Sequence, residues 1–114
     1  MNSHRIERVS ELVKQQISEI LTELNLTGCG FVTVTSAIVS PDLKDGRVFV
    51  SVIGTAEQKE RAMATLEHEH GRIQHELAHR IVLKYTPRLK FLLDETESEA
   101  QRIESLLNKL HTHE

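Results

Sequence analysis

The stretch 71-GRIQHELAHRIVLKYTPRLKFLLD-94 decides the fold of this chain. Its first half is amphipathic with a helical period, since Ile73, Leu77 and Ile81 recur every four residues. Pro87 cannot continue a helix, and it favours extended geometry at the residue before it. After it, Leu89, Phe91 and Leu93 recur at every second residue, which is the period of a strand. The segment therefore predicts a helix that leads through a turn into a strand.

The predicted elements around this stretch describe a single α+β domain. In chain order they are a helix over 4–25, strands over 31–39 and 47–54, a long helical pattern over 56–83, a strand over 89–93 and a last helix over 95–110. The long pattern contains Gly71, and glycine costs about 1 kcal/mol relative to alanine inside a helix. We therefore expect two helices that meet in a kink at Glu69, His70 and Gly71. The predicted order is α-β-β-α-kink-α-β-α, with helices on one face of a three-stranded sheet, one domain over 4–110 and a frayed tail over 111–114.

The composition is that of a globular domain with an aliphatic core. The chain has 114 residues, of which 39% are apolar and only 4% aromatic, with no tryptophan. No run approaches the ~18 apolar residues that a membrane span needs, and the first residues lack the apolar centre of a signal peptide. Cys29 is the only cysteine, so an internal disulfide is excluded. We expect a cytoplasmic monomer that has no membrane contact and no cofactor.

The net charge of −3 hides an uneven distribution of charge. Residues 72–93 carry five cations against Glu76 alone, a local charge of +4, whereas residues 94–114 carry a charge of −4. On a helix with 100° per residue, the polar side chains lie away from the apolar face. This exposed set is Arg72, His75, His79 and Arg80, with Lys84 at its margin, and Arg88 and Lys90 continue it onto the following strand. Local clusters of this kind suit phosphates. Tyr85 is the only tyrosine, which favours recognition of RNA backbone and shape over base stacking.

The same helix is also compatible with a second function, because residues 75–79 match the pattern H-E-x-x-H. His75 and His79 are one turn apart and could ligate one zinc ion, with Glu76 as general base. A third ligand would come from Glu95 or Glu99. Against this reading, a basic helix face repels a cation, and the chain is short for a metalloprotease. A small zinc-dependent hydrolase therefore stays as the alternative to RNA binding.

Four stretches in this order resemble the ribosome-binding factor A family of bacterial assembly factors. They are RIERVSELVKQQISEIL at 5–21, VSPDLKDGRVFVSVIG at 39–54, the opening stretch at 71–94, and RIESLL at 102–107. The resemblance implies a type-II K-homology (KH) fold, in which the usual G-x-x-G loop is replaced by an Ala-x-Gly kink. Glu69 stands where the family has alanine, so the kink would place an acidic side chain beside the RNA-binding surface.

The resemblance also implies a function without catalysis. The family binds the immature 30S subunit and its 16S rRNA, and promotes late maturation that includes processing of the 16S rRNA 5′ end. It implies assembly GTPases as further partners. The residues expected to bind RNA are then Arg5 and Arg8 in the first helix, Gly71 at the kink, and the basic set from Arg72 to Lys90 described above. A general KH-type RNA-binding protein with no tie to ribosomes is the remaining alternative.

Overall fold

The fold is given by a computed structural model, which describes residues 3–95. Its elements are α1 (Ser3–Thr22), β1 (Phe31–Val39), β2 (Asp45–Ile53), α2 (Ala56–His68), α3 (His70–Arg80) and β3 (Arg88–Leu93). The predicted order is confirmed from the first helix to the third strand. The predicted last helix and the frayed tail lie outside the described residues from residue 96 onward. Within the described part, no helix is both long and apolar enough to cross a membrane.

The three strands form one sheet in the order β1-β2-β3. β1 and β2 are an antiparallel hairpin, and β2 and β3 run parallel. Parallel neighbours need a long crossover, which α2 and α3 provide here. Val48, Val50 and Val52 in β2 alternate with outward residues and face the helices. Among residues 3–95, the helices therefore cover one face of the sheet, and no helix packs on the other, which is called the open face below.

The core between the sheet and the helices is aliphatic, as the composition predicts. One continuous cluster joins α1, α2, α3 and all three strands, and Phe91 is its only fully enclosed aromatic ring. Its most deeply buried members from the helices are Val13, Ile17, Ile20, Leu66, Ile73 and Leu77. Burying a side chain of this size contributes roughly 1.5–3 kcal/mol. The helices are thus held on the sheet by their apolar stripes, which the periodicity of the sequence identifies.

The kink expected at 69–71 is confirmed, and it lies at Glu69 between α2 and α3. Glu69 ends α2 and precedes α3, with φ −90° and ψ 5°. Its N–H donates to Thr65 O, and its carbonyl accepts from Ile73 N–H, both at 2.9 Å, so backbone pairing continues through the bend. Gly71 does not have a positive φ, and a Cβ atom there would meet nothing within 4 Å. The bend therefore does not require a glycine conformation at position 71, and alanine fits there.

Three predicted boundaries are wrong. α1 ends at Thr22 and not at 25, and α3 ends at Arg80 and not at 83. Ile81 is extended, with φ −121° and ψ 144°, and its buried side chain lies on the path that leads from α3 to the start of β3. Lys84 consequently lies beyond the helix. β2 begins at Asp45 and not at 47, and within it a Cβ on Gly46 would stand 3.3 Å from Pro87 Cβ.

Two side chains of α3 close the free edge of β3. Gln74 donates from Nε2 to Pro87 O at 2.7 Å and accepts at Oε1 from Leu89 N–H at 3.0 Å. His70 Nε2 lies 2.7 Å from Leu89 O, and because a carbonyl only accepts, this nitrogen carries the proton. Edge strands otherwise present unpaired backbone groups. The helix therefore supplies hydrogen-bond partners to the outer edge of β3 at its start, at Pro87 and Leu89.

We expect Gln74→Leu to lower the free energy of unfolding by about 1–3 kcal/mol, since two hydrogen bonds of roughly 0.5–1.5 kcal/mol each are lost. Urea unfolding followed by circular dichroism measures the change. Gln15→Leu is the matched control, because Gln15 is an exposed residue of α1. Equal stability of the two variants would show that the amide of Gln74 does not hold the edge of β3.

Candidate nucleic-acid interface

The register between β2 and β3 places two cations side by side on the open face of the sheet. Arg47 and Lys90 are direct partners in the parallel ladder, and both are exposed. Neither forms an ion pair with another residue in the described part of the chain. Neighbouring like charges repel each other, so this pair lowers stability unless an anion lies between them. The arrangement favours a phosphate.

A second group of cations lies where three segments meet. The start of α1, the β1–β2 loop and the connection from α3 to β3 line a cleft of about 250 Å³. Arg5 and Lys84 contribute the positive charge, and Tyr85 contributes an aromatic ring. Arg8 is exposed and lies less than one turn further along α1. Arg5, Arg8 and Lys84 have no carboxylate partner among residues 3–95.

The β1–β2 loop beside this cleft is held by its own hydrogen bonds. The Ser40 hydroxyl donates to Asp42 Oδ1 at 2.6 Å and accepts from Asp45 N–H at 3.0 Å. Asp42 Oδ1 also accepts from Lys44 N–H at 3.0 Å. The bond from Ser40 and the bond from Lys44 hold the pKa of the Asp42 carboxyl below its usual value. Arg88 N–H donates to Lys44 O at 2.8 Å, which connects the loop to the start of β3.

Arg80 is committed to an ion-pair network within the protein. Its guanidinium lies 2.7 Å from Glu23 Oε1, 3.4 Å from Glu19 Oε2 and 3.6 Å from Glu76 Oε2. The hydrogen bond to Glu23 is the main cause that raises the pKa of Arg80. The side chain is only 24% exposed. Arg80 therefore joins α3 to the end of α1 and the turn that follows it, and its charge is already neutralised by acids.

The two histidines of the H-E-x-x-H sequence contact each other on the exposed side of α3. Their Nε2 atoms are 3.1 Å apart, and the rings meet edge to face at 4.4 Å between centroids. Glu76 is turned to Arg80, so it is not poised as a general base. Among residues 3–95, no three His, Cys, Asp or Glu side chains converge to hold a metal ion. Glu99, the other acid considered as a third ligand, lies outside the described residues.

Comparison with known proteins identifies the family. Residues 5–107 match the model of the ribosome-binding factor A family. The ribosome-binding factor A of Opitutus terrae is 37% identical over 108 residues, which cover 95% of this chain and 88% of that protein. The chain belongs to the ribosome-binding factor A family.

Solved structures of the family share the fold. The crystal structure of ribosome-binding factor A from Thermus thermophilus aligns with a TM-score of 0.69 at 24% identity, over 77% of this chain and 93% of that one. A homology model of the Thermus thermophilus factor, fitted into a cryo-electron-microscopy map of a complex with 30S, aligns with a TM-score of 0.65 at 26% identity. That alignment covers 75% of this chain and 90% of that one. The α+β, KH-like fold predicted from the sequence is confirmed.

Within this family fold, the residues predicted to bind RNA fall into separate groups. Arg5 and Lys84 share the cleft, and Arg8 lies on α1 near them. Arg88 and Lys90 project from the open face of β3, where Arg88 Nε lies 3.9 Å from Asp45 Oδ1. Gly71, Arg72, His75, His79 and Arg80 belong to α3. Arg72 is exposed, but its guanidinium lies 3.7 Å from Glu69 Oε2.

The sequence analysis did not identify Lys44 and Arg47 among the cations near the starts of β2 and β3. Arg47 lies between the buried residues Gly46 and Val48, and this alternation already places Arg47 on the open face of the sheet. Its neighbour Lys90 is 43 positions away, however, and only the parallel pairing of β2 with β3 brings the two together. The sequence analysis also assigned most of the RNA binding to α3. The ion pair that occupies Arg80 leaves no periodic signal in the sequence, so it could not be foreseen.

We expect Arg80→Ala to lower the melting temperature more than Arg72→Ala does. Arg80 contacts three carboxylates, on α1, on the turn after α1 and on α3, whereas Arg72 contacts only Glu69 at the kink and is 57% exposed. Thermal unfolding at low and high ionic strength measures both variants, and the difference should shrink in high salt. A smaller loss for Arg80→Ala than for Arg72→Ala would contradict a structural role for Arg80.

Proposed function

We propose that this chain binds the immature 30S ribosomal subunit through its 16S rRNA and acts as a non-catalytic assembly factor. Membership of the ribosome-binding factor A family over residues 5–107 supports the ribosome as target. The Thermus thermophilus relative, fitted into a complex with 30S, supports the small subunit. The KH-like fold fits RNA as the component that is contacted.

The choice of the binding surface rests on Arg47 and Lys90, whose adjacent positive charges are not neutralised by a carboxylate in the described part of the chain. A phosphate bound between them would offset their repulsion, so binding would remove an unfavourable interaction that is present in the free protein. Lys44 and the cleft cations lie around the same end of the sheet. In contrast, Arg72 and Arg80 would have to leave carboxylates before they could bind RNA. The binding surface therefore runs over the open face of β2 and β3 and the start of α1.

In the proposed mechanism, binding energy selects one arrangement of the rRNA. A ligand shifts an equilibrium only through its different affinity for the two states, and a shift from 1:99 to 99:1 needs about a 10⁴-fold preference. The factor would favour the arrangement in which the 5′ end of 16S rRNA is accessible to processing nucleases. Assembly GTPases are further partners in this proposal, and the protein acts as a monomer.

The test of the function uses small subunits from cells that lack this factor. We expect the purified chain to sediment with these immature subunits, and its expression to lower the ratio of precursor to mature 16S rRNA 5′ ends in primer extension. Protein that stays in the soluble fraction at low salt would refute the ribosome as target. RNA binding without sedimentation would indicate a general KH-type protein, and stoichiometric zinc with hydrolytic turnover would indicate the zinc hydrolase.

The surface is tested through the salt dependence of binding. We expect Arg47→Ala and Lys90→Ala each to weaken subunit binding and to reduce the slope of log affinity against log salt by about 1. Since the two cations repel each other, neither substitution should lower the melting temperature. Lys59→Ala is the matched control, because Lys59 lies on α2, beyond the opposite end of β2. An unchanged slope in both sheet variants would place the RNA surface elsewhere.

A further inference from the structure

The cleft between α1, the β1–β2 loop and the α3–β3 connection combines three kinds of surface. Ile6, Pro41 and Leu43 give it apolar walls. Tyr85 adds a ring that is 51% exposed, and Lys84 Nζ lies 5.5 Å from the centroid of that ring. Arg5 supplies a second cation with no carboxylate partner in the described part of the chain. The volume of about 250 Å³ lies just below the roughly 300–1,000 Å³ of sites for drug-sized ligands, so the cleft suits one small planar group.

The walls of the cleft are preformed. Leu43 has a φ of 62°, a conformation that a leucine rarely adopts without support. The loop supplies this support, because Leu43 N–H donates to Ser40 O at 2.8 Å and Ser40 N–H donates to Asp45 O at 2.8 Å. The backbone bond from Arg88 to Lys44 fixes the loop against β3. Little of the loop therefore has to become ordered when a ligand binds, which lowers the entropic cost of binding.

We propose that this cleft binds a single unpaired RNA nucleotide, with the base stacked on Tyr85 and the adjoining phosphodiester held by Arg5 and Lys84. The inference rests on the proposed function and specifies one contact of it. An aromatic ring next to cations is the combination by which proteins hold unpaired bases. The cleft thus adds a base contact to a surface that otherwise reads only phosphates.

The charges of the cleft favour a nucleotide over a free anion. Asp42 also lines it, and its carboxylate opposes a multiply charged phosphate. A phosphodiester carries one negative charge, and its base adds apolar contact with Ile6, Pro41 and Tyr85. The exposed ring and the apolar walls have no role in binding a bare phosphate. Stacking and charge together therefore select a base joined to a phosphodiester.

The intrinsic fluorescence of the protein reports on this cleft directly. The chain contains one tyrosine and no tryptophan, so the emission comes from Tyr85. We expect the trinucleotides ApApA and UpUpU to quench this emission in a saturable titration, and tripolyphosphate, which has charge but no base, to leave it unchanged. Equal quenching by tripolyphosphate, or no quenching by either trinucleotide, would overturn the proposal.

Binding to immature 30S subunits tests the same contact in the complex. We expect Tyr85→Leu to weaken binding by roughly 5- to 150-fold, the range for loss of one base–aromatic stack, and Tyr85→Phe to retain the affinity. Phe31→Leu is the matched control, because Phe31 is 66% exposed at the opposite end of the sheet. Circular dichroism confirms that each variant is folded.

The outcomes separate this inference from the proposed function. If the wild-type chain sediments with subunits and Tyr85→Leu does so equally well, the nucleotide site is refuted and the assembly factor stands. If the wild-type chain does not sediment, the proposed function is refuted. A photo-crosslinking residue, Tyr85→p-benzoylphenylalanine, identifies the occupant. A crosslink to 16S rRNA supports the nucleotide, and a crosslink to a ribosomal protein overturns it.

Discussion

The parallel pairing of β2 with β3 is the constraint on which the rest of the structure depends. It requires a crossover, and the two helices α2 and α3 fill that role while they cover one face of the sheet. It also sets the path of the chain from Ile81 to Pro87, which must return to the start of β2. Gln74 and His70 then bind the outer edge of β3. The outward backbone groups of Pro87 and Leu89 are therefore already bonded within the protein.

The basic residues of the chain divide according to whether the fold neutralises them. Arg80 binds three carboxylates and stabilises the contact of α3 with α1, and Arg72 has Glu69 one turn away. Arg47 and Lys90 are neighbours of the same sign on an exposed face. An exposed charge without a partner retains its full attraction for a phosphate, whereas a paired charge must first lose its partner. The pattern of ion pairs, more than the number of cations, therefore supports the open face of β2 and β3 as the proposed RNA surface.

Helices and strands were predicted correctly from the sequence where packing against the core imposes a local period of apolar residues. The stripe of Ile73 and Leu77, and the alternation of Leu89 and Phe91, identified the helix and the strand because each side chain had to face the same interior. Prediction failed where long-range contacts decide. The helical period continues to Leu83 and gives no sign that α3 ends at Arg80, and the glycine that pointed to the kink has a conformation that alanine could adopt. Only the structure shows that the Glu69 carboxylate at the kink lies beside the guanidinium of Arg72.

The sequence by itself determined the α+β element order through the third strand, the aliphatic core and the family. These follow from short-range periodicity and from ordered motifs, which need no coordinates. Only the tertiary structure decided which cations are free to act, because Lys90 meets Arg47, and Lys84 meets Arg5, through strand register and chain path. Such contacts join residues that are far apart in the chain. No local pattern records them, since one residue carries no signal of the neighbour that folding brings to it.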